Sequence, residues 1–175
     1  MSGGSFTTFA YGSNMPTTRL RERCPSATLV GVAKLKGYEL RWHKRSRDGS
    51  GKCDIVPATS PEARVLGVLY RIAEYEKRNL DRAEGLGHGY AEIDIEVLCD
   101  GTPIAAKAYQ ATDIDHSLRP YSWYRALVVA GAREHRIPED YIALLEAVAT
   151  QEDPDRTRHA MNMRLIDGGA HEAAF

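Results

Sequence analysis

Apolar and polar positions alternate most cleanly in the middle of the chain. There Glu92, Asp94 and Glu96 interleave with Ile93, Ile95 and Val97, the period of a strand with one wet face. Asp100-Gly101 follows as a hairpin turn, and Ile104 to Gln110 returns as the antiparallel partner. Val65 to Ile72 is an aliphatic, β-branched run without alternation, which predicts a strand buried on both faces and central in a sheet. Nearer the N-terminus, Phe6 to Tyr11 is a short β-type run ending in Gly12. Pro16 then marks a helix start with Asn14 or Ser13 available as its cap, and Pro25 stops that helix near Cys24. Ala27 to Leu35 and Tyr38 to Lys44, split by Lys36-Gly37, read as paired strands. Glu74 to Ala83 is a charged helical stretch ended by Gly85, Gly87 and Gly89. From Ser122 the period turns helical, with one helix to His135 and a second from Pro138 to Val148. Mostly antiparallel strands followed by helices indicate an α+β architecture and not a doubly wound sheet. No period is readable after Pro154. The expectation is a single domain over 1–175, with residues 1–5 disordered and 155–175 a tail.

Composition narrows this picture. A length of 175 residues suits one domain, and 43% hydrophobic with 27% charged residues is ordinary for a globular chain. Lys and Arg number 23 against 24 Asp and Glu, so the chain as a whole is no polycation for nucleic acid or an anionic membrane. The one basic run is Lys34 to Lys52, where seven basic residues meet only Glu39 and Asp48, with Tyr38 and Trp42 interleaved. A solvated strand pair explains that run without nucleic acid. The apolar stretch around Ala126 to Ala132 is far shorter than the ~18 residues a membrane span needs. MSGGSFTTFAYGSNM has neither the basic nor the apolar region of a secretory signal. Cys24, Cys53 and Cys99 lie far apart with no C-x-x-C pair, which fits a reducing cytoplasm.

The familiar catalytic signatures are missing. There is no H-E-x-x-H, no phosphate-loop lysine motif and no G-x-S-x-G, and the six histidines show no ligand spacing, so no metal is expected. Gly85 to Gly89 (GLGHG) follows a helix where a dinucleotide fingerprint needs a strand, so NAD binding is rejected. Two features remain. Ala10 to Asn14 (AYGSN) joins a strand to a helix start. Gly12 there permits backbone geometry other residues resist, and consecutive N–H groups offer an anion cradle. A plain capped turn is the alternative. Glu84 ends a helix beside glycines, and either faces a cleft or is an exposed residue set unfavourably against the helix dipole. Tyr90, Tyr121, Trp123 and Tyr124 read first as core.

Taken together, FAYGSNM at 9–15, LDRAEGLGHGY at 80–90, and Tyr124 with GAREHRIPEDY at 131–141 resemble the γ-glutamylcyclotransferase family over most of the chain. Asn14 separates this loop from the glutathione-specific branch, whose loop typically ends in Leu. The resemblance implies a small mixed, mainly antiparallel β-barrel flanked by helices. It also implies a cofactor-independent reaction that turns a γ-glutamyl amide into 5-oxoproline and a free amine. Because the substrate's own α-amine attacks its γ-carbonyl, the protein need supply no nucleophile, and intramolecularity carries much of the rate. By the same resemblance Glu84 is the general acid/base. Ala10, Tyr11, Gly12, Ser13, Asn14 and Met15 form the substrate loop, and Tyr90 and Tyr124 line the pocket. The implied partner is a small γ-glutamyl molecule, with neither nucleic acid nor membrane, and a homodimer is an assembly the family allows. A non-catalytic module that binds γ-glutamyl or other carboxylate metabolites is the alternative reading.

Overall fold

Val65, Val68, Leu69, Tyr70 and Ile72 are all buried, so the most apolar run of the chain sits at the centre of a sheet, as its lack of alternation predicts. The computed structural model describes residues 3–172. That run is β5 (Arg64–Ala73), flanked by β1 (Ser5–Ala10) and β2 (Thr28–Lys36), both antiparallel to it. β2 continues to β6 (Tyr90–Cys99), which forms a long hairpin with β7 (Thr102–Ala111). A parallel contact at Thr8 and Lys107 joins β7 to β1 and closes the barrel in the order β1-β5-β2-β6-β7. Closure leaves none of these strands with a free edge.

A second, two-stranded sheet of β3 (Tyr38–Arg45) and β4 (Gly51–Pro57) lies outside the barrel ladder. Helix α1 (Thr17–Arg23) follows β1, and α2 (Lys77–Glu84) follows β5 through a single 3-10 turn at Glu74–Glu76. Helices α3 (Ser122–Glu134), α4 (Glu139–Glu146) and α5 (Arg156–Glu172) close the chain, with α3 packed against both others. The fold is therefore the mixed α+β barrel flanked by helices.

Four expectations need correction. β2 and β3 do not pair. Gly37, at φ 74°, turns the chain out of the barrel, donating its N–H to Ala63 and accepting from Ala58, and β3 pairs instead with β4. The residues after Pro154 are not a structureless tail. Asp153 accepts from the Trp123 indole at 2.8 Å and from Arg158, which ties the start of α5 to α3, and Met163, Leu165 and Ile166 pack on the core. Nor are residues 1–5 disordered as a block: Ser5 pairs with Ala73, and the Gly4 carbonyl accepts from Glu74 N–H at 2.8 Å, while residues 1 and 2 lie outside the described residues. Finally, neither Ser13 nor Asn14 caps α1. Pro16 occupies the cap position, where its fixed φ suits the turn into the helix.

Candidate active site

β1 leaves the barrel at Ala10 and the chain bends through Tyr11 to Met15 before α1 begins. α2 ends in Glu84, where Gly85 adopts a left-handed conformation at φ 71° that terminates the helix. These two chain ends meet. Asn14 donates its side-chain amide to Glu84 Oε1, and Arg23 donates to Asn14 Oδ1 at 2.5 Å while its guanidinium lies 3.7 Å from Glu84. Of the two sequence readings of Glu84, the cleft is the one found. The helix dipole that disfavours a carboxylate at this end is offset by Asn14 and Arg23.

Glu84 lines a narrow cavity of about 40 Å³ with Gly12, Ser13, Asn14, Cys53, Tyr90 and Tyr124. Ala10 and Tyr11 also line it; Met15 does not. Met15 is fully buried, its N–H donates to the Gly12 carbonyl at 3.1 Å, and its own carbonyl accepts from Tyr70 Oη at 2.7 Å, so it anchors the bend from behind. Among the described residues, no protein acceptor takes the N–H of Gly12, Ser13 or Asn14. All three residues line the cavity, and their N–H groups are left for an acceptor from outside the chain.

Gly12 is needed for space and not, as the sequence suggested, for an unusual backbone. Its φ lies outside the left-handed region, but a Cβ there would stand 3.1 Å from Cys53 Cβ and 3.2 Å from Tyr124 Oη. Cys53 is held from both sides: its N–H donates to Tyr124 Oη at 3.1 Å, and its carbonyl accepts from Tyr90 Oη at 2.6 Å. Tyr90 and Tyr124 are thus buried, as a core reading expects, and also form the cavity wall. The Tyr90 hydroxyl donates to the Cys53 carbonyl, and the Tyr124 hydroxyl accepts from the Cys53 N–H.

The electrostatics follow from burial. Only 17% of the Glu84 side chain is exposed, and desolvation raises its pKa above the usual carboxylate range, against the opposing pull of Arg23, Asn14, Arg19 and Lys44. Burial also pushes up the hydroxyls of Tyr11, Tyr90 and Tyr124 and the Cys53 thiol, so all four stay protonated near neutrality. Glu84 is left as the carboxyl lining the cavity. Arg23, Lys44 and Cys53 are neighbours that the sequence did not single out for the site. Lys44 did stand out, but only as one member of the basic run.

A closed barrel, with the bend after β1 and a partly buried carboxyl lining one cavity at its end, is the arrangement to set beside known proteins. The AIG2-like family model matches residues 64–145. The γ-glutamylcyclotransferase of Bos taurus is 32% identical over 152 residues, covering 83% of this chain and 80% of its own. That of Mus musculus is 32% identical over 163 residues, covering 86% and 82%. A solved γ-glutamyl cyclotransferase structure superposes with a TM-score of 0.83 at 27% identity, covering 94% of this chain and 99% of that one. The chain belongs to the γ-glutamylcyclotransferase family.

Proposed function

We propose that the chain cyclises γ-glutamyl amides to 5-oxoproline, releasing the free amine, with Glu84 as the proton carrier. The observation that supports this reading is that Glu84 and the bend Gly12 to Asn14 line one cavity, with the Asn14 side chain donating to Glu84. In the proposed sequence the substrate's α-ammonium gives a proton to Glu84. The freed amine attacks the γ-carbonyl, and the developing oxyanion accepts hydrogen bonds from the bend, each such donor being worth ~3 kcal/mol. Glu84 then passes its proton to the departing nitrogen as the C–N bond breaks, and takes up the second proton, which the ring nitrogen must shed to become the lactam N–H, before releasing it to the free amine or to water. One bond forms, one breaks, and no water is consumed.

A carboxyl with a raised pKa suits both halves of that cycle better than an ordinary one. The substrate is a small molecule. Three free, buried cysteines fit a reducing compartment, and we place the protein in the cytoplasm on that ground. The test is incubation of the purified protein with γ-glutamyl dipeptides and detection of 5-oxoproline by mass spectrometry. Glu84→Gln is expected to lose about 10² to 10⁴ in kcat. Turnover by that variant at the wild-type rate would remove Glu84 from its role, and saturable binding without product would make the chain a binding module.

A further inference from the structure

Behind the substrate bend lies a polar cluster to which the cyclisation chemistry gives no part. The Met15 carbonyl belongs to a fully buried residue, and besides the Tyr70 hydroxyl at 2.7 Å it accepts from His135 Nε2 at 3.0 Å. A carbonyl has no proton to offer, so this bond fixes the tautomer, with the hydrogen on Nε2. Tyr70 Oη also stands 2.9 Å from His135 Nε2, and the Thr17 hydroxyl lies 3.0 Å from Tyr70 Oη. The Glu134 carboxylate accepts from the Thr17 N–H at 3.2 Å and lies 3.5 Å from the same imidazole nitrogen. Only 6% of the His135 side chain is exposed.

Helix α3 brings His135 to this place. Arg136, left-handed at φ 55°, ends the helix and leaves His135 as its capping residue. One turn earlier, Gly131 lets the bend rest on the helix backbone, because a Cβ there would stand 2.6 Å from Met15 Cβ and from Pro16 Cδ. Two turns before that, Tyr124 meets the bend at Gly12 and forms the cavity wall. Tyr124, Gly131 and His135 are spaced seven and four residues apart, so one face of α3 supports the bend at both of its ends. The bend answers as a unit, since the Met15 N–H closes a hydrogen-bonded turn on the Gly12 carbonyl at 3.1 Å.

We infer that His135 is a positioning residue for the reaction: its Nε2–H, with the Tyr70 hydroxyl, holds the Met15 carbonyl and so sets where the Gly12 to Asn14 bend stands against Glu84. This rests on the cyclisation reading. A displacement of Met15 carries the amides of the closed turn with it, away from the reacting oxygen. It also reaches the carboxyl, because Asn14, one residue away, donates to Glu84. Burial strengthens the hold of Glu84 on a proton, and Arg23, Asn14, Arg19 and Lys44 oppose that effect. Loosening Asn14 removes one of the four, and the Glu84 proton is then held more tightly.

The experiment replaces His135 in the full chain and reads two quantities. One is steady-state release of 5-oxoproline; the other is the titration of Glu84, followed by NMR of its carboxyl carbon and assigned by loss of the signal in Glu84→Gln. His135→Leu removes the donor and fills most of the space. It is expected to lower kcat by about tenfold to 10²-fold with KM little changed, the pattern of a group that serves the transition state, and to move the Glu84 midpoint to higher pH. His135→Gln, which offers a side-chain N–H, should recover most of both losses. A merely structural role would lower Tm and leave both readouts of the folded protein at wild-type values, and that result overturns the inference. So does a loss that His135→Gln shares in full, since packing would then be its cause. Should His135→Leu not fold, Tyr70→Phe removes the other donor to the same carbonyl and keeps its ring; the same two shifts support the inference and wild-type values overturn it. If wild type yields no 5-oxoproline, the cyclisation reading fails, and the NMR titration, which needs no substrate, still decides whether His135 positions the bend.

Discussion

Gly12→Ala puts a single methyl between the substrate bend and the wall that supports it. The new carbon would stand 3.1 Å from Cys53 Cβ, where carbon–carbon contacts settle at about 3.5 to 4.0 Å. Backbone strain contributes nothing, because Gly12 has an ordinary φ. The question is which side yields. Cys53 lies in β4, its N–H bonded to Tyr124 and its carbonyl to Tyr90, so the wall is braced by two buried tyrosines. The bend is tied too, Asn14 to Glu84 and Arg23 and Met15 to Tyr70, but Gly12 itself makes only the bond its carbonyl accepts from Met15 N–H, so the displacement falls at Gly12.

Overpacking of this kind costs about 1 to 3 kcal/mol. For a chain of this size that lowers Tm by about 2 to 12 °C. Displacing one amide donor from the reacting oxygen costs about 10² to 10³ in kcat. Calorimetric melting and 5-oxoproline release measure the two losses separately. Tyr124→Phe supplies the cross-check, since it deletes the hydroxyl that the methyl would meet at 3.2 Å. The double variant should be less destabilised than the sum of the single ones, by about 0.5 kcal/mol or more. Wild-type Tm and kcat/KM for Gly12→Ala, or strict additivity with Tyr124→Phe, would refute the packing argument.

Other consequences can be checked with the same assays. Burial raises the Glu84 pKa in the folded state, so the stability linked to this group is fully present below about pH 4.5 and is lost as pH rises through the folded value. Glu84→Gln should therefore melt no lower than wild type at pH 7 while being nearly inactive, and a clear drop in Tm would contradict this. Arg23 pulls the Glu84 pKa down, so Arg23→Met should move the acid limb of the kcat/KM profile to higher pH; an unmoved limb would mean the guanidinium does not act on Glu84. Away from the site, buried Asp54 accepts from His43 Nε2 at 2.8 Å and from Ala111 N–H at 2.7 Å, joining β4 to β3 and β7. Asp54→Ala leaves both donors unmatched and should cost about 2 to 6 kcal/mol in urea unfolding, and a loss below 1 kcal/mol would show that water replaces the carboxylate.

Local signals predicted what local physics decides. The β6–β7 hairpin was legible because its alternation and its Asp100-Gly101 turn agree, with φ of 48° and 76° as a type I′ turn requires. β4 was not, because its central Asp54 is a buried carboxylate whose cost is met by residues far along the chain, which breaks any simple binary pattern. Helix α5 was missed since its few apolar residues are diluted by Arg156, Arg158, His159 and Arg164, and α3 supplies the surface that orders Met163, Leu165 and Ile166. In the site, Glu84 stood out by its glycine neighbours. Arg23 and Lys44 did not, because a cation's meaning lies in what faces it, and Glu84 is about 60 and 40 residues away from them in sequence.

Those two cations also explain how one carboxyl could serve both halves of the reaction. In an apolar cavity alone, desolvation would drive the Glu84 pKa upward until the group stayed protonated, and it could no longer take a proton from the substrate ammonium. Fully solvated, it would ionise readily but hold a proton too weakly to deliver one to the departing nitrogen. Arg23 through Asn14 on one side and Lys44 on the other restrain the rise without cancelling it.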